Sequence, residues 1–299
     1  MDLIVGATGM VGGEVCRLLA EQGRTVRALV RDSSNPERVE RLKKMGAEIV
    51  RGDLKAKASI AEACRGADTV VSTASSTISR QEGDSLDSVD RQGQLDLIDA
   101  AEKAGVKHFV LVSFAGTDLD FPLLAAKRAA EDRLRNGRMT YTILQPTCFM
   151  EVWLGPHLGF DPANATARIY GGGNNKISWI SFQDVAKFAA AAVTHPQAKN
   201  AVIRLGGPDA LSPLEAVKLA EESTGKKIAV EHVPEEALRA QYDAATDPLQ
   251  RSLAALMLYY AGGDVIDSQE SVRAFSVKQM KPVREYLRSA ASSPTIQHS

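Results

Sequence analysis

The sequence has little of several features that would indicate particular classes of protein. Its 299 residues carry a net charge of -1, so it lacks the excess of Lys and Arg that nucleic-acid binding through bulk positive charge requires. Its three cysteines, Cys16, Cys64 and Cys148, show no metal-ligand spacing and cannot all pair. We therefore expect no nucleic-acid partner and no metal, and we expect the cysteines to be core residues in a reducing compartment.

Long hydrophobic runs are absent as well. The apolar stretch at the N-terminus is too short for a signal peptide or a membrane span, and no basic region precedes it. Aromatic residues make up only 5% of the chain, whereas hydrophobic content of 44% and charged content of 24% are ordinary for a globular protein. These observations predict a cytoplasmic protein with no membrane partner.

The first residues combine an apolar strand with regularly spaced glycines. Gly6, Gly9 and Gly12 follow the apolar residues 2–5 and open an amphipathic pattern at 10–22. Gly6 permits a tight turn, Gly9 lets backbone N–H groups approach a pyrophosphate, and Gly12 lets the helix pack close to the strand. The spacing is G-x-x-G-x-x-G rather than G-x-G-x-x-G, so the motif predicts a dinucleotide site only together with its context.

That context is an alternation of short apolar runs and helical patterns, which predicts βαβ units and a parallel sheet. A glycine follows each helical pattern, where the helix should stop. The predicted fold class is α/β, a Rossmann-type doubly wound parallel sheet with a smaller C-terminal α+β lobe. The predicted strands cover 2–5, 25–30, 47–50, 68–74, 107–112 and 140–145, and the predicted helices cover 10–22, 35–45, 56–65, 88–104 and 122–136.

After residue 146 the alternation weakens. Ser212, Pro213 and Glu215 form a helix start with a capping box, and that helix should end at Gly225. We divide the chain into a nucleotide-binding domain at 1–155, a smaller lobe at 156–289 and a disordered tail at 290–299. The remaining predicted elements are strands at 176–180, 201–205 and 227–232 and helical patterns at 182–194, 234–261 and 270–289, with 176–205 returning to the main sheet.

The residue that follows the second predicted strand decides which dinucleotide fits. NAD sites carry an acidic residue there, whereas this chain has Arg31, whose planar guanidinium can bind the 2′-phosphate of NADP through two parallel hydrogen bonds. A shift of one residue would place Asp32 there and restore an NAD-type site. The plainer alternatives are a solvated loop charge for Arg31 and a turn cap for Asp32. We favour NADP(H) as the cofactor.

Further candidates follow the third and fourth predicted strands, because parallel strands present their carboxyl-end loops to ligands. Asp53 would accept a hydrogen bond from the adenine amino group, with Leu54 against the ring, or Asp53 would cap the helix that begins near residue 56. The loop after the fourth strand contributes Thr73, Ala74 and Ser75.

With these features, Ser113 after the fifth strand, Lys127 and the run Tyr-Thr-Ile-Leu-Gln-Pro at 141–146, the chain resembles the atypical short-chain dehydrogenases, most of all their NmrA-like and isoflavone-reductase-like branch. The resemblance covers about residues 1–205 well. It implies a Rossmann domain that binds NADP(H) and a smaller substrate lobe. It also implies either NADPH-dependent reduction of a small conjugated or quinone-like compound, or redox sensing without turnover.

The resemblance assigns catalytic roles too. Most short-chain dehydrogenases have a Tyr four residues before the Lys, where this chain has Leu123, and this puts ordinary carbonyl reduction and epimerase chemistry in doubt. The isoflavone-reductase-like enzymes keep the Lys without the Tyr, so Lys127 is expected to hold the nicotinamide ribose and stabilise negative charge on the substrate. Ser113 occupies the place of a carbonyl-polarising hydroxyl. The alternatives are a surface lysine paired with Glu131 and a strand-end hydroxyl.

The backbone that follows the sixth strand is expected to reach the nicotinamide carboxamide. The catalytic candidates are Lys127 and Ser113, and the cofactor-binding candidates are Gly6, Thr8, Gly9, Met10, Gly12, Arg31, Asp53, Leu54, Thr73, Ala74, Ser75, Lys127, Gln145, Pro146 and Phe149. A set of aromatic and His residues would line an apolar pocket or form the core of the smaller lobe: Phe149, Trp153, His157, Phe160, Tyr170 and Trp179. We assign no role to His157.

Two classes of function stay open. One is an NADPH-dependent oxidoreductase with a small-molecule acceptor, and the other is an NADP(H)-sensing regulatory protein that changes its affinity for a protein partner. The missing Tyr favours the sensor, and the Lys favours the enzyme. We choose the oxidoreductase, and the sequence predicts neither the acceptor nor the oligomeric state.

Replacing Arg31 with Asp tests the cofactor assignment. An aspartate at this position repels a 2′-phosphate and accepts hydrogen bonds from ribose hydroxyls, so we expect Arg31→Asp to bind NADH more tightly than NADPH. Calorimetric titration of both dinucleotides measures the preference. Unchanged NADPH affinity in the variant would contradict the assignment.

Overall fold

The strands of this protein belong to one large sheet and two small ones. The computed structural model describes residues 1–78 and 80–292, with only the backbone described at 291 and 292. The strands are β1 (Asp2–Val5), β2 (Val26–Val30), β3 (Glu48–Arg51), β4 (Thr69–Ser72), β5 (His108–Val112), β6 (Thr140–Pro146), β7 (Phe160–Asp161), β8 (Thr166–Tyr170), β9 (Ile177–Ser178), β10 (Ala201–Leu205), β11 (Ala210–Leu211) and β12 (Ala229–Val233).

Seven of these strands form the main sheet, in the order β10-β6-β5-β4-β1-β2-β3. β1 pairs in parallel with β2 on one side and with β4 on the other, and the pairs β2–β3, β4–β5 and β5–β6 are parallel too. The order 3-2-1-4-5-6 reverses direction between β1 and β4, and ligands of such sheets bind at that switch point. The predicted Rossmann-type, doubly wound α/β fold is confirmed.

Helices connect the strands, and most begin and end close to the predicted residues. β1 and β5 are buried along their whole length, because helices cover both faces of such a sheet. The helices are α1 (Met10–Glu21), α2 (Pro36–Lys44), α3 (Lys57–Cys64), α4 (Gln94–Lys103), α5 (Pro122–Arg135), α6 (Met150–Trp153), α7 (Phe182–Ala192), α8 (Pro213–Thr224), α9 (Glu235–Ala244), α10 (Pro248–Gly262), α11 (Gln269–Ala274) and α12 (Val283–Ser292).

The chain divides into two compact units. The first contains Met1–Gln145, Val185–Ile203 and Ser271–Val277, and the second contains Pro146–Asp184, Arg204–Glu270 and the residues from Lys278 onward. In the second unit β9 pairs with β11, and β8 pairs with β7 and β12. The strand predicted at 176–180 therefore does not return to the main sheet. Only the strand at 201–205 does so.

Two predicted helical patterns in the C-terminal part are each broken into two helices. The pattern at 234–261 stops at Ala244, and α10 begins where the Asp247 side chain accepts hydrogen bonds from the N–H groups of Leu249 and Gln250. Pro248 at the first helical position fits this start. The predicted single helix is therefore wrong, although the Asp-Pro signal that divides it is readable in the sequence.

The pattern at 270–289 is divided as well, between α11 and α12. α11 ends at Ala274, just before Ser276 with a φ of +51°, and Pro282 directly precedes α12. α12 extends through Ser292, so it overlaps the beginning of the tail predicted at 290–299, and residues 293–299 lie outside the described residues.

The helix predicted at 88–104 begins two residues earlier, at Leu86, and its first part is not an α-helix. Leu86–Gly93 is a π-helix that runs directly into α4. Ser85 and Ser88 form a reciprocal capping box at its start. A π-helix carries an extra residue per turn and often marks a functional site. Periodicity at 3.6 residues per turn predicted the helix and could not predict this local form.

All three cysteines are buried free thiols, which agrees with their predicted role in the core. Burial raises the pKa of Cys16 to about 12 and that of Cys64 to about 11. These thiols are therefore protonated and unreactive near neutral pH. Among the described helices, none combines the length and the apolar character that crossing a lipid bilayer requires.

His108 in β5 is a buried base whose protonation should oppose folding. The ring lies between the hydroxyls of Thr140 and Thr142, at 2.8 and 3.1 Å. Thr142 Oγ1 donates its proton to the carbonyl oxygen of Ala198 at 2.7 Å, so it accepts from Nε2–H of the neutral ring. Burial, with a smaller contribution from the positive charge of Lys199, lowers the pKa of His108 from 6.5 to about 4.

This depressed pKa predicts a pH dependence of stability. The unfolded chain takes up the proton first, so the free energy of unfolding falls as the pH is lowered from about 6.5 to about 4, by roughly 3 kcal/mol from this group. Urea titrations between pH 8 and pH 4 should show that His108→Gln loses this part of the slope. His157→Gln, at an exposed position, is the control and should keep it. Identical slopes for wild type and His108→Gln would contradict the prediction.

Candidate functional site

The loop that follows β1 has no room for side chains at two of its glycines. Gly6 has a φ of +84°, and a Cβ atom there would lie 2.7 Å from Thr73 Oγ1. A Cβ atom on Gly12 would lie 2.3 Å from the carbonyl oxygen of Gly6. The N–H of Gly9 donates to that same oxygen at 2.9 Å and closes the turn. The tight turn and the close helix packing predicted for Gly6 and Gly12 are therefore present.

The N-terminus of α1 follows this turn and has no neutralising partner of its own. Gly9 is the N-cap residue and supplies no side-chain acceptor, and the first turn contains no acidic residue. The partial positive charge of the helix and its first N–H groups are thus available to an anion. Thr8 and Met10 flank Gly9, and Met10 is 39% exposed. These features fit the pyrophosphate of a dinucleotide.

Arg31 follows β2 and is held by a buried carboxylate. Its Nη1 donates to Asp84 Oδ2 at 2.6 Å, and the other oxygen of Asp84 pairs with Lys55. The side chain of Arg31 is 27% exposed and that of Asp84 only 1% exposed, so Arg31 is not a freely solvated loop charge. Asp32 is 95% exposed, and the cap of α2 is Asn35, so the turn-cap alternative for Asp32 is wrong.

The charges around Asp84 favour its ionised form. Burial by itself raises the pKa of the carboxyl, but hydrogen bonds from Lys55, the N–H of Gln81 and Arg31 hold the pKa below its usual value. A further cation, Arg38, donates from Nη1 to the carbonyl oxygen of Thr8 at 3.0 Å. Lys55 and Arg38 were not among the residues predicted from the sequence. Their signal was their position, in the loop after β3 and in the first turn of α2.

The side chain of Asp53 bonds to Lys55, two residues further along the same loop. Its Oδ1 accepts from the N–H of Lys55 at 2.8 Å, and its Oδ2 lies 3.1 Å from Lys55 Nζ. The N-cap residue of α3 is Ala56, whose side chain makes no capping hydrogen bond, so the helix-cap alternative for Asp53 is wrong. Leu54 is 6% exposed, and a Cβ atom on Gly93 would lie 2.9 Å from its Cβ. The adenine contacts of Asp53 and Leu54 stay predictions.

The loop that follows β4 is held from two directions. Thr73 Oγ1 donates to the carbonyl oxygen of Val5 at 3.2 Å, which ties the loop to the end of β1. Gln94 in α4 accepts from Ser72 Oγ at 2.8 Å and donates to the carbonyl oxygen of Ala74 at 3.2 Å. Ser75 Oγ lies 3.1 Å from Thr77 Oγ1. These bonds place the predicted residues 73–75 beside the glycine turn, at the switch point of the sheet.

Lys127 in α5 is nearly buried, with 7% of its surface exposed. Its Nζ lies 3.6 Å from Oδ1 of Asp90, and the side chain of Asp90 is fully buried. The alternative of a surface lysine paired with Glu131 is wrong, because Glu131 bonds to other groups. A buried ammonium at this edge of the sheet is a candidate for binding a ligand or stabilising negative charge.

Glu131, one helical turn after Lys127, is a fully buried carboxylate. It accepts hydrogen bonds from Ser113 Oγ and from Gln145 Nε2, the latter at 3.0 and 3.1 Å. It also pairs with Arg128 and Arg135. Ser113 directly follows β5, and Gln145 lies one residue before the end of β6, so this network joins α5 to both strands. The catalytic role of Ser113 stays a prediction, and its hydroxyl here is bonded to Glu131.

Pro146 and Phe149 belong to the second unit. Pro146 ends β6, and Phe149 precedes α6 and forms a bridge with Ile180. Among the other aromatic candidates, Trp179, Phe160 and Tyr170 are core residues, exposed by 0%, 1% and 6%.

These aromatic side chains pack around one tyrosine of α10. Trp153 stacks on the Tyr260 ring at 4.9 Å, and Tyr170 and Trp179 meet the same ring edge-on. His157 is exposed, and no role was predicted for it. The core interpretation of these aromatic residues therefore applies to most of the set.

Comparison with known proteins identifies relatives along most of the chain. A model of the NmrA-like family matches residues 3–287. The photosystem II assembly factor Ycf39 of Trieres chinensis is 32% identical over 238 residues, which are 78% of this chain and 72% of that protein. The NAD(P)H azoreductase of Xenophilus azovorans is 31% identical over 231 residues, 76% of this chain and 75% of that protein.

A solved structure shares the fold. The NADPH-dependent quinone oxidoreductase of Escherichia coli, in complex with NADPH, superposes with a TM-score of 0.77 over 97% of this chain and 99% of that chain. The sequence identity is 20%, so this likeness establishes the fold alone. The relatives thus include proteins named as reductases and a protein named as an assembly factor.

Removing the Glu131 carboxylate tests the network that holds α5. We expect Glu131→Ala to lower the free energy of unfolding by about 3 kcal/mol, because it leaves buried donors and two arginines without their partner. Asp132→Ala is the control, since that side chain is 64% exposed and pairs only with Arg135 among the described residues. Urea denaturation measures both variants. Equal midpoints for the two variants would show that the network does not stabilise the fold.

Proposed function

The chain belongs to the NmrA-like family, and on this basis we propose that it is an NADPH-dependent oxidoreductase that transfers hydride to a small apolar, conjugated or quinone-like acceptor. Two of its relatives and neighbours are named as reductases that use nicotinamide cofactors, one acting on azo compounds and one on quinones. Their names support a shared reaction type and leave the acceptor of this chain to experiment.

The residues present fit NADP(H). The glycine turn and the uncapped N-terminus of α1 suit a pyrophosphate, as described above. Arg31 follows β2, Lys55 follows β3 and Arg38 reaches the loop after β1, so three cations, two of them paired with Asp84, lie where they suit a 2′-phosphate. Asp32 is 95% exposed, and its one ion pair among the described residues is with Arg51 at 3.9 Å. When bound, NADPH supplies the hydride.

The observation that carries the proposal is the state of Lys127. Its side chain is 8% exposed and its Nζ lies 3.6 Å from Asp90, yet no hydrogen bond to Nζ is found among the described residues. Its N–H donors are therefore available to a ribose hydroxyl and to an acceptor atom that gains negative charge. Leu123, where a catalytic hydroxyl would stand, is apolar and buried. Acceptors whose reduced form is a stable anion, such as quinones, suit this site better than simple ketones.

A second candidate is a regulatory protein that binds NADP(H) without turnover. It is favoured by Leu123 in place of a proton donor and by the relative that is named as an assembly factor. Both candidates need the dinucleotide site, and they differ in whether an acceptor is reduced.

Turnover separates the two candidates. Purified protein would be assayed for NADPH oxidation with a panel of quinones, enones and azo dyes, after its NADPH stoichiometry has been measured by calorimetry. Reduction of any of these acceptors supports the oxidoreductase. Stoichiometric NADPH binding without turnover on the whole panel would support the sensor, and absence of NADPH and NADH binding would overturn both.

Replacing Lys127 tests its role directly. We expect Lys127→Met to lower kcat/KM for the best acceptor of the panel by about 100-fold. Methionine has a side chain of similar length, so the variant removes the preorganised cationic donor and keeps most of the side-chain volume. The matched control is Lys107→Met, because the side chain of Lys107 is 79% exposed and pairs with Asp68 at the surface. Steady-state kinetics of both variants measure the difference. If Lys127→Met retained full activity, Lys127 would have no catalytic role.

A further inference from the structure

The π-helix Leu86–Gly93 contains a carboxylate with one unsatisfied oxygen. Asp90 is fully buried, and its Oδ2 accepts from the N–H of Ser76 at 2.9 Å and from Ser76 Oγ at 2.6 Å. Its Oδ1 is a buried atom without a hydrogen-bond partner among the described residues. The charge that faces this oxygen is Lys127, at 3.6 Å. Asp90 therefore connects the loop after β4 with α5.

Asp90 and Lys127 lie close together without forming a hydrogen bond with each other. At 3.6 Å the two groups attract each other, but they are too far apart for a hydrogen bond. Burying a carboxylate oxygen that has no hydrogen bond is costly, so this arrangement is poorly explained by a contribution to stability. Binding of a ligand by Lys127 explains this arrangement better. The ammonium is held close to its counter-charge while its donors stay free for a ligand.

The helix that carries Asp90 is itself fixed closely against the nucleotide-binding loops. A Cβ atom on Gly93 would lie 2.9 Å from Leu54 Cβ, so the helix approaches the loop after β3 without a side chain between them. Gln94, the next residue, bonds to Ser72 and Ala74 in β4 and the following loop. Asp90 and Gln94 thus hold consecutive parts of the same loop, and only Asp90 also faces a cation of α5.

From this geometry we infer that Asp90 is a positioning residue: it sets the place of the Lys127 ammonium relative to the loop after β4, so that Lys127 meets the nicotinamide half of the dinucleotide. The inference rests on the proposed function, because it takes NADPH as the ligand and Lys127 as its contact. It assigns no contact of Asp90 with the adenosine half, which the proposed function gives to Arg31, Arg38 and Lys55.

The test compares a whole dinucleotide with half of one. Asp90→Asn keeps the shape of the side chain and an oxygen that can accept from Ser76, but it removes the counter-charge of Lys127. We expect this variant to bind NADPH about tenfold more weakly than wild type and to bind adenosine 2′,5′-bisphosphate, which lacks the nicotinamide half, with an affinity changed by less than about twofold. Calorimetric titration of both ligands gives the four dissociation constants.

The same helix provides a matched control. Asp87 lies 3.7 Å from Arg91, a separation like that of Asp90 and Lys127, but its side chain is 78% exposed. Asp87→Asn changes the same charge and should leave both affinities unaltered. A double variant adds a second check. If Asp90 acts through Lys127, Asp90→Asn combined with Lys127→Met should bind NADPH no more weakly than Lys127→Met alone.

The outcomes separate this inference from the function on which it rests. Equal weakening of NADPH and of the bisphosphate in Asp90→Asn would mean that Asp90 only supports the fold, and it would overturn the inference while leaving the proposed function intact. Additive losses in the double variant would overturn it too, because Asp90 would then not act through Lys127. Wild-type protein that binds neither ligand would overturn the proposed function, and the inference would fall with it.

Discussion

The close approach of α1 to the glycine turn is the contact on which the site depends. A single methyl group on Gly12 would collide with the carbonyl of Gly6, and one on Gly6 would collide with Thr73. The helix can therefore begin directly at the end of β1, with its N-terminus beside the loop that follows β4. All other candidate groups of the first unit are arranged around this point, because it is where the strand order reverses.

Around this turn, the positions of cations are set by buried carboxylates. Asp84 holds Arg31 and Lys55, Asp90 faces Lys127, and Glu131 binds two arginines together with Ser113 and Gln145. Each carboxylate joins segments that are distant in sequence. Compared with apolar residues in their place, such pairs add little net stability, although removing one partner alone is costly. They fix where a charge lies. A site that must bind an anionic dinucleotide and stabilise developing charge needs that precision.

The predictions succeeded where the pattern was local and failed where two local signals competed. The alternation in the first 146 residues predicted the strands and helices of the main sheet to within a few residues, because periodicity reflects burial of one face. The pattern at 234–261 was apolar enough to read as one helix, and the cap at Asp247 with Pro248 was overlooked. The π-helical form of Leu86–Gly93 has no such signal, since it arises from packing on neighbouring segments.

The candidate site was predicted only in part, for a related reason. Gly6, Gly12, Arg31 and Lys127 were readable because each stands at a fixed place relative to a strand or helix end, and the family likeness rests on these residues. Asp84, Asp90 and Glu131 were not, because a carboxylate in the sequence does not reveal whether it is buried or which cation it meets. Arg31 and Asp84, for example, are 53 residues apart.

By itself, the sequence determined the order of strands and helices along the chain, the glycine turn and the membership in the NmrA-like family. Residues that are close together in the sequence specify all of these features. Only the tertiary structure decided which charged groups are buried and how they pair. The physical reason is that desolvation and ion pairing depend on neighbours in space, and folding brings those neighbours together from separate parts of the chain.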